Sequence, residues 1–164
     1  LTNNDILRRI RYTFDFKDST MVEIFAAADC TVTREQVIQW LKKEDDADSC
    51  RLRDIDLSAF LNGLINTKRG KREGAQPEPE KRLTNNMIFI KLKIALNMQA
   101  EEILDILLLA NFRLSKHELG AFTRKPDNKH YRECKDQILR NFLKGLQRKW
   151  RPEDTREYQE DESN

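Results

Sequence analysis

Glycine and proline are scarce in this chain, five and four among 164 residues, and no stretch alternates apolar and polar side chains with period two. Together these absences exclude a β-rich fold and leave an all-α one. Cysteine is scarcer still: Cys30, Cys50 and Cys134 are an odd number with no CxxC spacing. That excludes a disulfide framework and a zinc site, and suits reduced thiols. His130 and Cys134 could share a helix face, but two ligands do not make a metal centre, so no metal and no cofactor is expected. Long apolar runs are missing. A run such as Ile106 to Ala110 falls far short of the roughly 20 residues a membrane span needs, and the N-terminus carries no basic start followed by an apolar stretch. A cytoplasmic protein away from the membrane is expected. Enzyme signatures are absent as well: there is no Gly-rich phosphate loop, no HExxH and no GxSxG. No catalytic residue is assigned.

What is present is a duplication. Leu1-Thr2-Asn3-Asn4 returns as Leu83-Thr84-Asn85-Asn86, an offset of 82 residues. At the same offset, without a gap, Ile6 meets Ile88 and Ile24 meets Ile106. Asp54, Leu57, Phe60, Leu61, Gly63 and Leu64 meet Asp136, Leu139, Phe142, Leu143, Gly145 and Leu146. The chain is a tandem repeat of a unit of about 68 residues.

Each unit reads as four helices. The first follows LTNN, with Ile6, Leu7, Ile10 and Phe14 in one copy and Ile88, Phe89, Leu92 and Leu96 in the other. The second carries Met21, Ile24 and Phe25, or Ile103, Ile106 and Leu107. A capping box opens the third, Thr33 to Gln36 or Ser115 to Glu118. The last shows one apolar stripe at i, i+3, i+4, i+7: Leu57, Phe60, Leu61, Leu64 and their counterparts. Asn4 and Asn86, just before the first helix of each unit, are expected as caps, with Asp54 and Asp136 as caps or first-turn acids. Residues 1–69 and 83–150 are the two units. Residues 70–82, rich in Gly, Pro and charge, form a linker with an extended stretch from Gln76 to Glu80. Residues 151–164 read as an acidic, flexible tail.

In combination, Asn4 to Arg8, Trp40 to Asp45, Phe60 to Ile65, Arg132 to Cys134 and Phe142 to Leu146 resemble the YehS-like family. These are uncharacterised bacterial proteins carrying two copies of a domain of unknown function. The resemblance spans Leu1 to about Trp150. It implies a helical protein of the bacterial cytoplasm and supplies no catalytic or ligand-binding residue.

The formal net charge of +2 hides an uneven distribution: −3 over residues 1–67, +3 over 68–82, +6 over 83–150 and −4 over 151–164. In the last helix Arg140, Lys144 and Arg148 lie at i, i+4, i+8, and Lys149 and Arg151 extend the row. The first unit has Ser58, Asn62 and Asn66 at the matching positions. Such a row suits phosphate contact, and equally a solvated or docked surface. A helix-turn-helix reading of Met21 to Lys43 would add Lys116 and Arg124 from the second copy as groove contacts. Leu108 and Leu109 replace Ala26 and Ala27 and make their helix apolar nearly all round. They are expected to bury a second face, between the units or against another chain, with the units packed through this helix as a pseudo-symmetric pair. The leading functional expectation is a non-enzymatic binding or adaptor protein acting on a protein partner. Nucleic-acid binding through the basic row is the alternative, and a small-molecule enzyme without a visible motif the third.

Overall fold

A computed structural model describes residues 1–152. Among these described residues the chain forms eight α-helices and no strand: α1 (Asn3–Phe14), α2 (Asp18–Ala27), α3 (Arg34–Leu41), α4 (Asp54–Arg69), α5 (Asn85–Ala95), α6 (Ala100–Leu109), α7 (Lys116–Phe122) and α8 (Asp136–Trp150). Each of the first four starts 82 residues before its counterpart. The acidic tail expected from residue 151 lies, from residue 153 on, outside the described residues.

The scarcity of glycine is met by Asp and Asn. Four non-glycine residues take the left-handed conformation that ends a helix: Asp15 and Asp29 in the first copy, Asn97 and Asn111 in the second. They fall on the same two repeat positions. Asp and Asn tolerate this region best among residues with a Cβ.

The LTNN motif does three jobs. Threonine is the N-cap: the Thr2 hydroxyl accepts from the Asp5 N–H at 3.1 Å, and the Thr84 hydroxyl from Met87 N–H at 3.2 Å. This corrects the expectation that Asn4 and Asn86 are caps. Each stands one residue inside its helix and faces the core, 7% and 3% exposed. The Asn4 amide donates to the carbonyls of Trp40 (2.9 Å) and Cys50 (2.8 Å) and accepts from Leu52 N–H (3.0 Å). Asn86 repeats this with Phe122, Arg132 and Cys134. The amide thus clamps the long loop before α4, or α8, onto the start of the unit. A buried backbone segment without a regular ladder needs such a partner.

The remaining asparagines, Asn3 and Asn85, reach the acids that open the last helices. Asn3 Nδ2 donates to Asp54 Oδ1 and Asn85 Nδ2 to Asp136 Oδ1, both at 2.7 Å. Asp54 and Asp136 are first-turn residues. The N-cap positions are Arg53 and Lys135, which make no side-chain cap bond. Thr33 and Ser115 each form a full capping box.

Asp54 and Asp136 also tie the units together. The free oxygen of Asp54 accepts from the Leu83 backbone nitrogen at 2.9 Å, and that of Asp136 from the Leu1 nitrogen at 3.4 Å. Each unit's last helix therefore receives the start of the other unit. Accordingly α4 packs along α5, and α8 along α1. The units form a pseudo-symmetric pair, but not through α6. Within each unit the second helix crosses the last, α2 on α4 and α6 on α8. The crossings are close enough that a Cβ added at Gly63 would lie 1.8 Å from the Ile24 carbonyl oxygen, and one at Gly145 2.1 Å from that of Ile106.

Ring packing shows how the copies keep volume while exchanging shapes. Phe25 of α2 packs on Phe60 of α4, centroids 5.2 Å apart. The second copy has Leu107 in place of Phe25, and Phe89 in place of Leu7. The ring pair becomes Phe89–Phe142, 5.0 Å apart. Volume-conserving exchanges of this kind are the best tolerated in cores.

Candidate partner-binding face

The outer surface of the second unit is built by α6 and α8. On α6, Ile103, Ile106 and Leu107 are buried against α8. The helix continues one step past this stripe, and its last two residues turn outward. Leu108 is 47% exposed and Leu109 44% exposed. Among the described residues the units meet where α4 packs on α5 and α8 on α1, so the expected burial of these leucines between the units is not found. The counterparts Ala26 and Ala27 are also at the surface.

The basic residues of α8 divide by position. Arg140 is exposed and Lys144 half-buried. Arg148 is half-buried and donates to the Leu109 carbonyl, at the C-terminal end of α6 where a cation is favoured. Lys149 is exposed, its ammonium 5.2 Å from the centre of the Trp150 ring. Arg151 leaves the row and lies over Tyr12 of α1 at 4.1 Å, also donating to the Tyr12 carbonyl at 2.9 Å. Trp150 meets Phe14 edge-on at 5.2 Å, so the end of α8 is anchored on the first unit. Lys116 and Arg124 belong to α7 and the turn after it, on the flank of α6. Lys116 is paired with Glu101 at 2.7 Å, and Arg124 buries its Nε. The seven basic candidates are thus not one surface.

A groove of about 540 Å³ lies on the first unit above the Asn4 clamp, bordered by Asn3, Lys42, Glu44, Cys50 and Asp54. Two of its polar groups hold each other, Asn3 and Asp54, and Lys42 pairs with Asp48 outside the groove at 3.5 Å. Cys50 is exposed at its rim, whereas burial, with Asp136 and Glu133 nearby, pushes the Cys134 thiol up to about 12. The Asn85 amide holds the Asp136 carboxyl below its usual range, against the opposing effect of burial. Among the described residues, no three His, Cys, Asp or Glu side chains gather where they could hold a metal ion. No described helix is long and apolar enough to cross a membrane.

The sequence reading missed Arg9, a cation of α1 only 5% exposed. Its signal was available: the repeat partner of Arg9 is Lys91, so a basic residue stands at this position in both copies.

Compared with known proteins, the chain matches the family described as "Protein of unknown function (DUF1456)" twice, over residues 3–70 and 85–151. It is 47% identical over 147 residues to "Uncharacterized protein YehS" of Escherichia coli (strain K12), covering 89% of this chain and 94% of that relative. No solved structure matches.

Proposed function

The chain belongs to the DUF1456 family, and from that premise we propose that it is a non-enzymatic binding protein of the bacterial cytoplasm that engages a protein partner through the end of α6. One observation carries this reading. Leu108 and Leu109 are nearly half exposed on a helix whose core contacts are already complete. The first copy builds the same crossing with Ala26 and Ala27, so the fold does not require leucine there. Side-by-side exposed leucines beside the Arg148 guanidinium combine an apolar anchor with a positive rim, the usual composition of a protein-docking patch.

The test replaces both leucines with the first copy's residues, Leu108→Ala and Leu109→Ala. Tagged wild-type and variant chains are incubated with Escherichia coli lysate, each with and without nuclease. The expected result is a defined protein that survives nuclease, co-purifies with the wild type and is lost with the variant at unchanged melting temperature. A partner retained by the variant refutes the α6 site.

Arg140 and Lys144 favour the second reading, nucleic-acid binding, since both stand on a face where the first copy is uncharged. Binding of that kind weakens steeply with salt, and removing each phosphate contact lowers the salt slope by about 1. Arg140→Glu with Lys144→Glu should then abolish the nuclease-sensitive material.

A further inference from the structure

The linker covers the end of α2. It leaves α4 at Gly70 and turns back along that helix, and the Lys71 ammonium pairs with Asp29 Oδ1 at 2.7 Å, two residues past the end of α2. One amide then joins three elements. Asn66 Nδ2 of α4 donates to the Ala27 carbonyl, the last of α2, and to Gln76 Oε1 of the linker, both at 2.9 Å. Further on, the Glu80 carboxylate accepts from the fully buried Ser58 hydroxyl and pairs with Lys91 Nζ of α5 at 3.2 Å. Burial raises the Glu80 carboxyl, but Ser58, a backbone N–H and Lys91 together outweigh it and hold the group below its ordinary value. The linker ends at Leu83, whose nitrogen meets Asp54. A non-helical segment of the chain thus lies on the joint between α2 and α4.

The matching joint of the second unit, between α6 and α8, is closed by the same bond. Arg148 stands at the position of Asn66 and Leu109 at that of Ala27. Arg148 Nη1 donates to the Leu109 carbonyl as Asn66 does to that of Ala27. The other half of the bridge is unmet. Arg151 turns to Tyr12 of α1, and among the described residues no acceptor takes the place of Gln76. Three exchanges around the bond define what fits there. A guanidinium replaces a carboxamide, and its planar pair of N–H groups matches a carboxylate, where the neutral Asn66 meets the neutral Gln76. Leu108 and Leu109 replace Ala26 and Ala27 and offer exposed apolar area beside that carboxylate. Asn111 replaces Asp29, so the cation that Lys71 brings to the first joint has no partner at the second.

We propose that the α6 site takes an acidic, non-helical segment of the partner protein, laid across the ends of α6 and α8 as the linker is laid across those of α2 and α4. A Glu or Asp carboxylate of that segment sits on the Arg148 guanidinium, and an apolar neighbour packs on Leu108 and Leu109. The leucines supply buried area, and the carboxylate decides which segments are accepted. This deepens the α6 docking reading and rests on it.

A phage-displayed library of random linear peptides, selected against the full chain, tests the proposal. Enriched peptides are titrated against the full chain and against variants that restore first-copy residues, Arg148→Asn and the pair Leu108→Ala, Leu109→Ala. The expected consensus is a Glu or Asp next to an apolar residue. Both variants should weaken binding, Arg148→Asn by about tenfold to a hundredfold, the value of hydrogen bonds to a charged group. Replacing the peptide's acid with its amide should weaken binding to the full chain but not to Arg148→Asn, which places the carboxylate on Arg148. If Arg148→Asn does not fold, Arg148→Lys takes its place, since it keeps the charge and loses the paired donors. Peptides that need the leucines but bind Arg148→Asn unchanged overturn the carboxylate site and leave the α6 docking reading standing. Peptides indifferent to the leucines overturn both. A library that yields no enriched peptide overturns the proposal, and so does a chain that sediments as a dimer until the leucines are replaced, because a second copy then occupies the joint.

Discussion

Replacing Gly63 with alanine should destabilise the protein even though alanine is the better helix former. The added Cβ would stand 1.8 Å from the Ile24 carbonyl oxygen and 2.8 Å from its carbon. Ordinary contact begins near 3.4 Å, so α2 must retreat from α4 by about 1.6 Å, a shift that forfeits much of the dispersion energy along the crossing. The obstacle is backbone in mid-helix, which cannot rotate aside as a side chain would. Overpacking of this kind costs about 3 kcal/mol, and the gain from replacing a helical glycine offsets about 1 kcal/mol. A net loss of about 2 kcal/mol remains, a fall of roughly 4–8 °C in melting temperature for a chain of this size. Gly145→Ala, with its Cβ 2.1 Å from the Ile106 oxygen, should behave alike. Gly120→Ala in α7 is the internal control: a Cβ there meets nothing within 4 Å, so the same substitution should be neutral or stabilising by up to about 1 kcal/mol. Thermal and urea unfolding of the three variants decides the matter. A Gly63→Ala chain as stable as Gly120→Ala would refute the reasoning, since the crossing would then yield to a methyl group.

Asn4→Ala should cost about 3 kcal/mol, because it strands the Leu52 N–H and the Trp40 carbonyl inside the protein; urea midpoints for it and for Asn86→Ala should fall together. Glu80, with its folded pKa depressed, contributes stability that is fully present above its unfolded value of 4.5 and is lost as pH falls through the folded value. Glu80→Gln should flatten that part of the stability profile, and an unchanged acid limb would contradict the linker seat. Exposed Cys50 should react rapidly with a thiol reagent at neutral pH, while Cys134, fully buried and pushed up to about 12, should react only on unfolding. A fragment spanning residues 1–82 leaves the partner-facing sides of α1 and α4 uncovered, and by pseudo-symmetry Arg9 of a second copy can take the place of Lys91 opposite Glu80. It should sediment as a dimer; a folded monomer would contradict the arrangement.

Much of the fold was legible because the duplication repeats it. Two capping boxes, two apolar stripes and two runs of LTNN give the helices and their order. What the sequence concealed was tertiary. Asn4 looks like a cap by type and place, but Thr2 stands where a short hydroxyl reaches the first free N–H, and the amide is directed inward to a loop nearly fifty residues on. Gly63 and Gly145 were visible as a matched pair in mid-helix, an unfavourable place for glycine; only the crossing with α2 and α6 explains them. Leu108 and Leu109 misled because apolarity all round a helix reads as burial. The actual partner surfaces, on α1, α4, α5 and α8, carry buried polar residues such as Ser58, Asn62 and Arg9, which composition alone would assign to solvent. The basic row was legible as a row, but not its division: the hydrogen bond that directs Arg148 to α6 and the ring that draws Arg151 to α1 join residues far apart in the chain.

The repeat also separates structure from function by a physical criterion. Positions on which the copies agree, such as Asn4 and Asn86, Asp54 and Asp136, Gly63 and Gly145, each hold a bond or a close approach that the frame needs. Buried positions on which they differ, such as Leu7 against Phe89 and Phe25 against Leu107, compensate one another within the core; surface positions on which they differ are not dictated by the helix crossing, because one copy builds it with the other residue. Ala26 and Ala27 against Leu108 and Leu109 are differences of this kind, and lie on the faces of α2 and α6 that the pseudo-symmetry makes equivalent. Transplanting the first copy's residue into the second is therefore the mildest perturbation available, since the same surroundings already accept it elsewhere in the chain. A loss of binding on such a transplant, at constant stability, points to recognition rather than to a damaged fold.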